Sequence, residues 1–447
     1  MPLLRSVSGL RATLGDSLTP DVVASYAAAF STMLADGPIV VGRDGRPSGQ
    51  WMEDVLVGTL RSCGRTVERL GMVPTPTVQL LVEHGDAVGG ISITASHNPS
   101  PWNGLKFIDA TGVFLDAQAN SRLWQIVDAS LFAYSAEQQA GHVINVTDAV
   151  ERHLRAVLPP TSMSVRLTRP LRVVVDTVNA SASFIVPEAL RRLGLDVVEL
   201  HCSGSGIFPH VPEPITENLT ELAEAVRRER ADLGVAVDPD GDRLVLFDEH
   251  GNPIGEELTI ALAVRSVLSS GKVGPVVINY STTRTVEDIA ATYGCVTHRT
   301  PVGEINVVRK MQETNAVIGG EGSGGVIDPA VHYGRDAIVG IARIVDLLLR
   351  EDTSLSNIVR SLPSYSMVKT KFDIPSTLNM TVLQDELIRT FTDAHITTDD
   401  GIRISWSDRW VQCRTSNTEP IIRIIAEAPS RPLAEELITQ IRSVAGV

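Results

Sequence analysis

Residues 88–99, with the sequence VGGISITASHNP, predict a strand that runs directly into a loop carrying a serine. The apolar half, 88–93, is typical of a buried strand, because it is a short apolar run bounded by turn residues. Asn98 and Pro99 then end the strand, since proline has no backbone N–H and an Asn-Pro pair favours a turn. We therefore expect the hydroxyl of Ser96 to lie at a backbone bend and to point into a cleft. A plain turn is the alternative.

Strand patterns alternate with helical patterns on both sides of this segment, which is typical of α/β domains built from βαβ units. The run LRVVVD at 171–176 predicts a strand buried on both faces of its sheet. Ser48 is expected to cap the helix that follows it. The other predicted strands are 38–42, 196–200, 233–237, 244–247, 276–279, 316–318 and 410–413, and the predicted helices are 185–193, 219–228, 258–268, 337–349, 382–391 and 433–444.

The length of 447 residues is too great for one hydrophobic core and predicts three or four domains. Changes of pattern near residues 149, 255 and 366 divide the chain into the regions 1–148, 149–254, 255–365 and 366–447. The first three regions share a βαβ theme without a residue-level repeat, and the last region differs from them in character.

The composition is that of a soluble globular protein, with 43% hydrophobic and 21% charged residues. No apolar run approaches the roughly 20 residues that span a bilayer, and the N-terminus lacks the apolar core of a signal peptide. The four cysteines are scattered without a CxxC pair, which predicts neither a zinc site nor disulfides and favours a cytoplasmic protein. The net charge of −14 argues against binding to nucleic acid, so an anionic substrate requires basic residues concentrated locally.

The segment DPDGDR at 238–243 lies between two predicted apolar strands. Asp238, Asp240 and Asp242 can surround one hard cation, and Mg²⁺ prefers oxygen ligands and often shares its site with a phosphate. A calcium-binding EF-hand loop also begins D-x-D-x-D, but its sixth position requires glycine and here holds Arg243. Three carboxylates in five residues repel one another unless they are neutralised, which favours a metal site. A solvated acidic turn is the alternative.

The segment GEGSGG at 320–325 matches the G-x-G-x-x-G of dinucleotide-binding folds. That function requires a helix directly afterwards, and Pro329 prevents one. A glycine-rich loop with one carboxylate and one hydroxyl suits a sugar, because Glu321 can accept from vicinal hydroxyls while Ser323 both donates and accepts. A structural turn is the alternative.

The segment RTSNTEP at 414–420 follows a predicted strand. Its hydroxyls and main-chain N–H groups suit a nest for an anion, and Arg414 adds a bidentate charged fork. We interpret the segment as a phosphate-binding loop, with an ordinary turn as the alternative.

These loops, together with SGLR at 8–11, resemble in order and spacing those of the α-D-phosphohexomutase superfamily, which comprises phosphoglucomutases, phosphomannomutases and phosphoglucosamine mutases. The pair TASHNP and DPDGDR at this separation is highly specific. The resemblance implies a phosphosugar-converting enzyme, a monomer or homodimer, with three related α/β domains and a smaller C-terminal α+β domain around a central cleft. In chain order these are a phosphoserine domain, a metal-binding domain, a sugar-binding domain and a phosphate-binding domain.

The resemblance also implies roles for individual residues. The implied phosphoserine is Ser96, and the implied ligands of one Mg²⁺ ion are Ser96, Asp238, Asp240 and Asp242. The implied groups for proton transfer and charge stabilisation are Lys106 and Arg11, with Arg243 facing the cleft. The implied contacts of the sugar are Gly303, Glu321 and Ser323, and those of the non-reacting phosphate are Arg414, Ser416, Asn417 and Thr418. His97 is expected to order the serine loop rather than to act as a base.

Three positions depart from the usual pattern of the superfamily and bear on the identity of the acid and base. The first motif ends in Ala12 rather than glycine, and the sugar loop ends in Gly325 rather than histidine. Glu304 stands where a basic residue or histidine sometimes follows Gly303. His332 is a candidate substitute for the missing histidine.

The expected reaction interconverts a hexose 6-phosphate and a hexose 1-phosphate through the phosphoserine and a bisphosphorylated sugar, with a sugar bisphosphate as activator. The stretch 320–336 looks most like phosphoglucosamine mutases, so glucosamine phosphate is the expected substrate. The loop at 416–418 is also seen in phosphomannomutases, and a phosphomannomutase/phosphoglucomutase is the alternative. A sugar-phosphate binding protein that has lost catalysis is the remote alternative.

Overall fold

The chain folds into four sheets that follow one another in sequence, in a computed structural model that describes residues 3–158, 170–373, 380–415 and 421–445. The first three sheets combine parallel and antiparallel strands, and the fourth is entirely antiparallel. Three α/β units followed by a smaller α+β unit are the predicted fold class, and that prediction is confirmed.

The first sheet has seven strands. They are β1 (Leu4–Ser6), β2 (Gly9–Thr13), β3 (Ile39–Arg43), β4 (Val67–Met72), β5 (Gly89–Ile93), β6 (Trp102–Asp109) and β7 (Val143–Asn145). Their order in the sheet is β1-β2-β6-β5-β3-β4-β7. The helices of this region are α1 (Pro20–Met33), α2 (Gly49–Ser62), α3 (Thr75–Glu83), α4 (Ala117–Asp128) and α5 (Ala149–Val157).

The second and third sheets have four strands each. The second contains β8 (Arg172–Asp176), β9 (Asp196–Leu200), β10 (Leu233–Val237) and β11 (Leu244–Phe247), with helices α6 (Ile185–Arg192) and α7 (Thr220–Glu229). The third contains β12 (Val276–Asn279), β13 (Thr297–Thr300), β14 (Ile318–Glu321) and β15 (Gly325–Ile327). Its helices are α8 (Glu256–Ser269), α9 (Thr285–Thr292), α10 (Glu304–Thr314), α11 (Ala337–Glu351) and α12 (Leu355–Arg360).

The fourth sheet has five strands, in the order β16-β20-β19-β18-β17. They are β16 (Ser366–Asp373), β17 (His395–Thr397), β18 (Ile402–Ser405), β19 (Trp410–Thr415) and β20 (Ile421–Ala428), with helices α13 (Met380–Thr390) and α14 (Arg431–Ala445). Within the described residues, none of the helices has the length and apolar character needed to cross a bilayer.

One unit recurs in the first three sheets: a parallel strand, a loop with polar side chains, and a return strand that pairs antiparallel with the first. These units are β5 to β6, β10 to β11 and β14 to β15. Strands β5, β10 and β14 are each parallel to their other neighbour, so all three loops leave the carboxyl end of a parallel strand. That end of an α/β sheet is where ligands bind.

The first three regions share a continuous apolar core, whereas the fourth has its own. Polar contacts hold the fourth region against the third. Glu427 accepts hydrogen bonds from the hydroxyl of Thr283 at 2.5 Å and from the N–H of Arg284 at 2.8 Å, and Asp400 accepts from the N–H of Val302 at 2.9 Å. The last region therefore has its own core and meets the third region through these polar contacts.

Two local predictions are wrong in detail. Helix α2 does follow Ser48, but the Ser48 hydroxyl does not cap it and instead accepts a 2.8 Å hydrogen bond from Asn103 Nδ2. The strand predicted at 316–318 is β14, which begins at Ile318 and continues through the glycines to Glu321. The carboxylate of Glu321 is therefore placed by a strand rather than by a free loop.

Candidate active site

The loops after β5, β10 and β14 meet the fourth sheet at a cleft of about 360 Å³. Seven of the residues predicted from sequence line this cleft: Arg11, Lys106, Arg243, Gly303, Glu321, Ser323 and Arg414. Four more predicted site residues, Ser96, Asp238, Asp240 and Asp242, are at most 1% exposed. The predicted Ser416, Asn417 and Thr418 lie outside the described residues.

Ser96 has a left-handed backbone with φ of 51°, which is uncommon for a residue with a side chain. Its N–H donates to the hydroxyl of Thr94 at 2.8 Å. Its own hydroxyl donates to Asp238 Oδ2 at 3.2 Å and lies 3.2 Å from Nδ1 of His97. The serine oxygen thus contacts the acidic loop of the next region.

Arg46 supports the serine loop, and the sequence analysis did not single it out. Its guanidinium is 1% exposed and donates to the carbonyl oxygens of Ser96 and Asn98, each at 2.6 Å, and of Pro99 and Trp102, each at 3.0 Å. Asp44 Oδ2 accepts from Arg46 Nε at 3.0 Å. The signal that could have found this arginine is the charged run Arg-Asp-Gly-Arg at 43–46, directly after the predicted strand 38–42.

The three aspartates of the acidic loop are buried, and one carboxylate oxygen from each lies within 4.8 Å of one from each of the other two. Among the described residues, Asp240 Oδ1 and Asp242 Oδ1 are buried without a hydrogen-bond partner. Burial, with the charges of Asp242 and Asp240, raises the pKa of Asp238 well above its usual range. Unpartnered carboxylate oxygens this close together suit a divalent cation with oxygen ligands, so the donor set fits a metal ion.

Cations surround the acidic loop. Lys106 Nζ donates to Asp240 Oδ2 at 2.6 Å and to Asp242 Oδ2 at 3.3 Å. Burial favours the neutral amine, but the two carboxylates outweigh burial and raise the pKa of Lys106. Arg11 donates to Asn98 Oδ1 at 2.9 Å, and Arg243 lies with its Nε 3.8 Å from Asp242 Oδ1. The basic residues that an anionic substrate requires are therefore concentrated at this cleft, against the acidic background of the chain.

Glu321 is held at the end of β14 by both of its carboxylate oxygens. Oε1 accepts from Asn279 Nδ2 at 2.7 Å and from the N–H of Gly303 at 3.0 Å. Oε2 accepts from Arg335 Nη1 at 2.6 Å. Ser323 lines the cleft two residues further on. A fixed carboxylate beside a hydroxyl is an arrangement that can bind sugar hydroxyls.

Two arginines of the fourth sheet face the same cleft. Arg414 on β19 lies opposite Arg423 on β20 in the antiparallel register. Burial lowers the pKa of Arg414, and Arg423 contributes in the same direction. Like charges directly opposite in a sheet are destabilising, and a phosphate between them would remove that repulsion. The sequence analysis did not include Arg423.

The two histidines considered from sequence have different surroundings. His97 lines the cleft, where burial and the charges of Arg243 and Arg11 lower its pKa to about 2. His332 does not line the cleft: it is fully buried, with Nε2 3.0 Å from Asp336 Oδ2. His332 is therefore not a substitute for a histidine at position 325, and that prediction is wrong.

Four family models match the chain in order. They are alpha/beta/alpha domains I, II and III of phosphoglucomutase/phosphomannomutase at residues 3–133, 151–251 and 255–365, and the C-terminal domain of the same family at 380–444.

Two relatives and one solved structure match almost the full length. A Methanopyrus kandleri protein named "Probable phosphoglucosamine mutase" is 34% identical over 434 residues, which are 96% of this chain and 95% of that protein. A Thermococcus kodakarensis protein named "Phosphoglucomutase/phosphomannomutase" is 35% identical over 437 residues, with 96% and 95% covered. The crystal structure of a phosphoglucomutase/phosphomannomutase family protein from Burkholderia thailandensis has a TM-score of 0.86 at 27% identity, with 98% of this chain and 95% of that chain covered.

The chain therefore belongs to the phosphoglucomutase/phosphomannomutase family, within the α-D-phosphohexomutase superfamily of enzymes. The two relatives have almost the same identity to it but are named for different sugars. What they share with this chain is the phosphohexomutase class rather than one sugar.

Proposed function

We propose that this phosphohexomutase interconverts glucosamine 6-phosphate and glucosamine 1-phosphate through a phosphoserine at Ser96. The observation that carries the proposal is the contact between Ser96 and Asp238, 3.2 Å apart although 142 residues separate them in sequence. The Ser96 hydroxyl is buried and donates to a carboxylate, which can accept its proton when the serine takes up a phosphoryl group. The same oxygen carrying a phosphoryl group beside a cation is well placed for transfer.

The acidic loop and the cations beside it serve the transferring group. Asp238, Asp240 and Asp242, with the Ser96 phosphate, are the proposed ligands of one Mg²⁺ ion, whose charge offsets that of the phosphoryl oxygens. Lys106 and Arg11 add positive charge at the same place, and Arg243 lines the cleft next to them. Most of the rate enhancement of phosphoryl transfer comes from such positioning and neutralisation.

The reaction is proposed to proceed in two transfers. In the first, the bond between phosphorus and Ser96 Oγ breaks and a bond from phosphorus to a sugar hydroxyl oxygen forms. The proton lost by that hydroxyl ends on Ser96 Oγ, which becomes a free hydroxyl. The resulting sugar bisphosphate turns over in the cleft and returns its other phosphate to Ser96 in the reverse sense. A free sugar bisphosphate restores the phosphoserine in the same way and acts as activator.

Recognition must work with either end of the sugar towards Ser96. Gly303, Glu321 and Ser323 are the proposed contacts of the sugar. Arg414, with Ser416, Asn417 and Thr418, is the proposed site of the non-reacting phosphate, and Arg423 lies opposite Arg414 in the sheet. The separate core of the fourth region supports a small movement of this phosphate site between the two poses.

Intact mass distinguishes the enzyme from a binding protein that has lost catalysis. After incubation with a sugar bisphosphate and Mg²⁺, the wild type is expected to carry the mass of one phosphoryl group, whereas Ser96→Ala carries none. A wild type without this added mass after the incubation would refute the phosphoserine mechanism.

The preferred substrate is determined by comparing kcat/KM for the 6-phosphates of glucosamine, mannose and glucose. We expect glucosamine 6-phosphate to be preferred, in line with relatives that carry the name phosphoglucosamine mutase. Equal or better turnover of mannose or glucose phosphate would instead support the phosphomannomutase/phosphoglucomutase alternative, which the name of another relative favours.

A further inference from the structure

The guanidinium of Arg335 bridges three carboxylates from different elements: the loop after β10, the end of β14 and the start of α10. Nη2 donates to Asp242 Oδ2 at 2.6 Å, Nη1 donates to Glu321 Oε2 at 2.6 Å, and Nε donates to Glu304 Oε2 at 3.0 Å. The side chain is 11% exposed, at the wall of the cleft. The planar fork of an arginine can satisfy several acceptors at fixed angles, which a lysine cannot do.

The space that Arg335 occupies explains why position 325 holds a glycine. Gly325 does not have a positive φ, so its backbone does not require glycine. A Cβ atom at this position would lie 2.3 Å from Cδ of Arg335 and 3.1 Å from its Cγ. The side chain of Arg335 therefore fills the volume that any side chain at position 325 would need.

Glu304 anchors the third arm of the guanidinium. Its Oε2 accepts from Arg335, and its Oε1 accepts from Nε2 of Gln79 on α3 at 3.0 Å. Glu304 is 7% exposed, so its carboxylate depends on these partners. Arg335 is thus tied to the first region through Gln79, to the second through Asp242 and to the third through Glu321.

We propose that Arg335 is a positioning residue that couples the metal-binding loop to the sugar-binding loop. It holds Oδ2 of Asp242, which leaves the unpartnered Oδ1 oriented for the metal ion, and it holds Glu321 for the sugar hydroxyls. Gly325 and Glu304, two of the departures from the family pattern, are the complements of this arginine: one makes room for it and the other binds it. The inference rests on the proposed roles of Asp242 and Glu321.

The test uses the full-length Arg335→Lys variant, which keeps a positive charge but cannot bridge three carboxylates. Mn²⁺ binding, measured by titration calorimetry on the unphosphorylated protein, is expected to weaken about 10-fold, as for other residues that orient metal ligands. KM for glucosamine 6-phosphate is also expected to rise, because Arg335 holds Glu321 as well as Asp242. Arg343→Lys is the matched control, because Arg343 Nε donates to the buried Asp328 at 2.7 Å and does not line the cleft.

Gly325→Ala perturbs the same coupling without removing the charge, and serves if Arg335→Lys fails to fold. Its methyl group displaces the arginine arm, so Mn²⁺ binding and KM are expected to change in the same directions. The matched control is Gly58→Ala in α2, where a Cβ meets no described atom within 4 Å. Variants that lose thermal stability but keep wild-type Mn²⁺ affinity and KM would overturn the coupling and reduce Arg335 to a structural role.

The two proposals fail in different ways. If the wild type takes up no phosphate from a sugar bisphosphate, the phosphoserine mechanism fails, while Mn²⁺ binding still decides whether Arg335 orients Asp242. If the wild type is phosphorylated and both variants bind Mn²⁺ and substrate as it does, the coupling fails and the mechanism stands.

Discussion

Arg46 donates a 2.6 Å hydrogen bond to the carbonyl oxygen of Ser96, 50 residues away in sequence. The same buried guanidinium binds three other carbonyls of the serine loop and is paired with Asp44. The left-handed backbone of Ser96 is thus held by a side chain from the loop after β3. Strained backbone of this kind persists only where the surrounding structure holds it.

Replacing Arg46 should therefore disturb both stability and phosphorylation. Arg46→Met leaves Asp44 buried without its charged partner and removes the arginine donors of four carbonyl oxygens, so we expect a loss of about 3–5 kcal/mol in the free energy of unfolding. Phosphate uptake at Ser96, followed by intact mass, should slow as well. Arg43→Met is the control, because Arg43 is more exposed and pairs with Glu53 instead. Wild-type phosphorylation in a folded Arg46→Met variant would contradict this role.

Arg423 should contribute to binding of the non-reacting phosphate. Arg423→Met removes one of two arginines that face each other across β19 and β20, so KM for the sugar phosphate should rise about 10-fold or more, as for loss of a charge-assisted hydrogen bond. Steady-state kinetics measure this, and KM should become less sensitive to added salt. Arg431→Met, at an exposed position on α14, is the control in the same region. Equal KM values for the two variants would exclude Arg423 from the phosphate site.

Asp336 joins helix α11 to two buried histidines. Its Oδ1 accepts from the N–H groups of Ile338 and Val339, and its Oδ2 lies 2.7 Å from His153 Nε2 and 3.0 Å from His332 Nε2. Burial would raise the pKa of this carboxyl, but the histidines outweigh burial and lower it. The Asp336 carboxylate therefore contributes fully to the free energy of unfolding at pH values above about 4, the pKa of an aspartate in the unfolded chain. This contribution is lost as the pH falls from there towards the lower pKa of the folded protein.

Asp336→Asn should destabilise the protein by about 2–4 kcal/mol at neutral pH, because the amide is neutral and has one acceptor oxygen where the carboxylate has two, so either the backbone N–H groups or the histidines lose their acceptor. Chemical unfolding at pH 7 measures the loss. Asp116→Asn, which changes the cap of α4 at an exposed site without histidines, should cost less than about 1 kcal/mol, since Asn and Asp cap helices almost equally well. Similar losses of unfolding free energy in the two variants would show that Asp336 acts only as a helix cap and that its contacts with the histidines do not stabilise the protein.

Glu257 should make stability depend on pH. Burial raises the pKa of Glu257 from 4.5 to about 7, although Lys369 opposes the shift. The folded protein therefore favours the neutral carboxyl, and this contribution is lost as the pH rises through 7. Relative to Glu257→Gln, the wild type should lose up to about 3 kcal/mol of unfolding free energy between about pH 4.5 and pH 8.

Urea unfolding of the wild type and Glu257→Gln at both ends of this pH range tests the expectation. Glu256→Gln is the control, because it removes the other carboxylate that binds Lys369 at 2.6 Å and leaves Glu257 in place. A stability difference between the wild type and Glu257→Gln that does not change with pH would refute it.

Much of the fold was predictable because its signals are local. An apolar run followed by turn residues determines where β5, β10 and β11 lie, and the loops after β5 and β10 carry their chemistry within six residues. The pattern did not predict the end of β14, because the glycines at 319 and 320 read as a loop. In the structure they are buried in a strand where a Cβ would meet Met311 Sδ or the carbonyl oxygen of Gly325.

The sequence by itself therefore determined the four-part α/β architecture and the serine, acidic and sugar loops, since each depends on residues that are neighbours in the chain. Only the tertiary structure shows what surrounds Arg46, Arg335 and Arg423. The function of an arginine depends on which acceptors or charges the fold brings to it, and Asp242 is 93 residues away from Arg335 in sequence. Gly325 is a second example. In the sequence it only differs from the usual motif, and its reason appears in the structure, where the Arg335 side chain fills the space that a Cβ atom at position 325 would need.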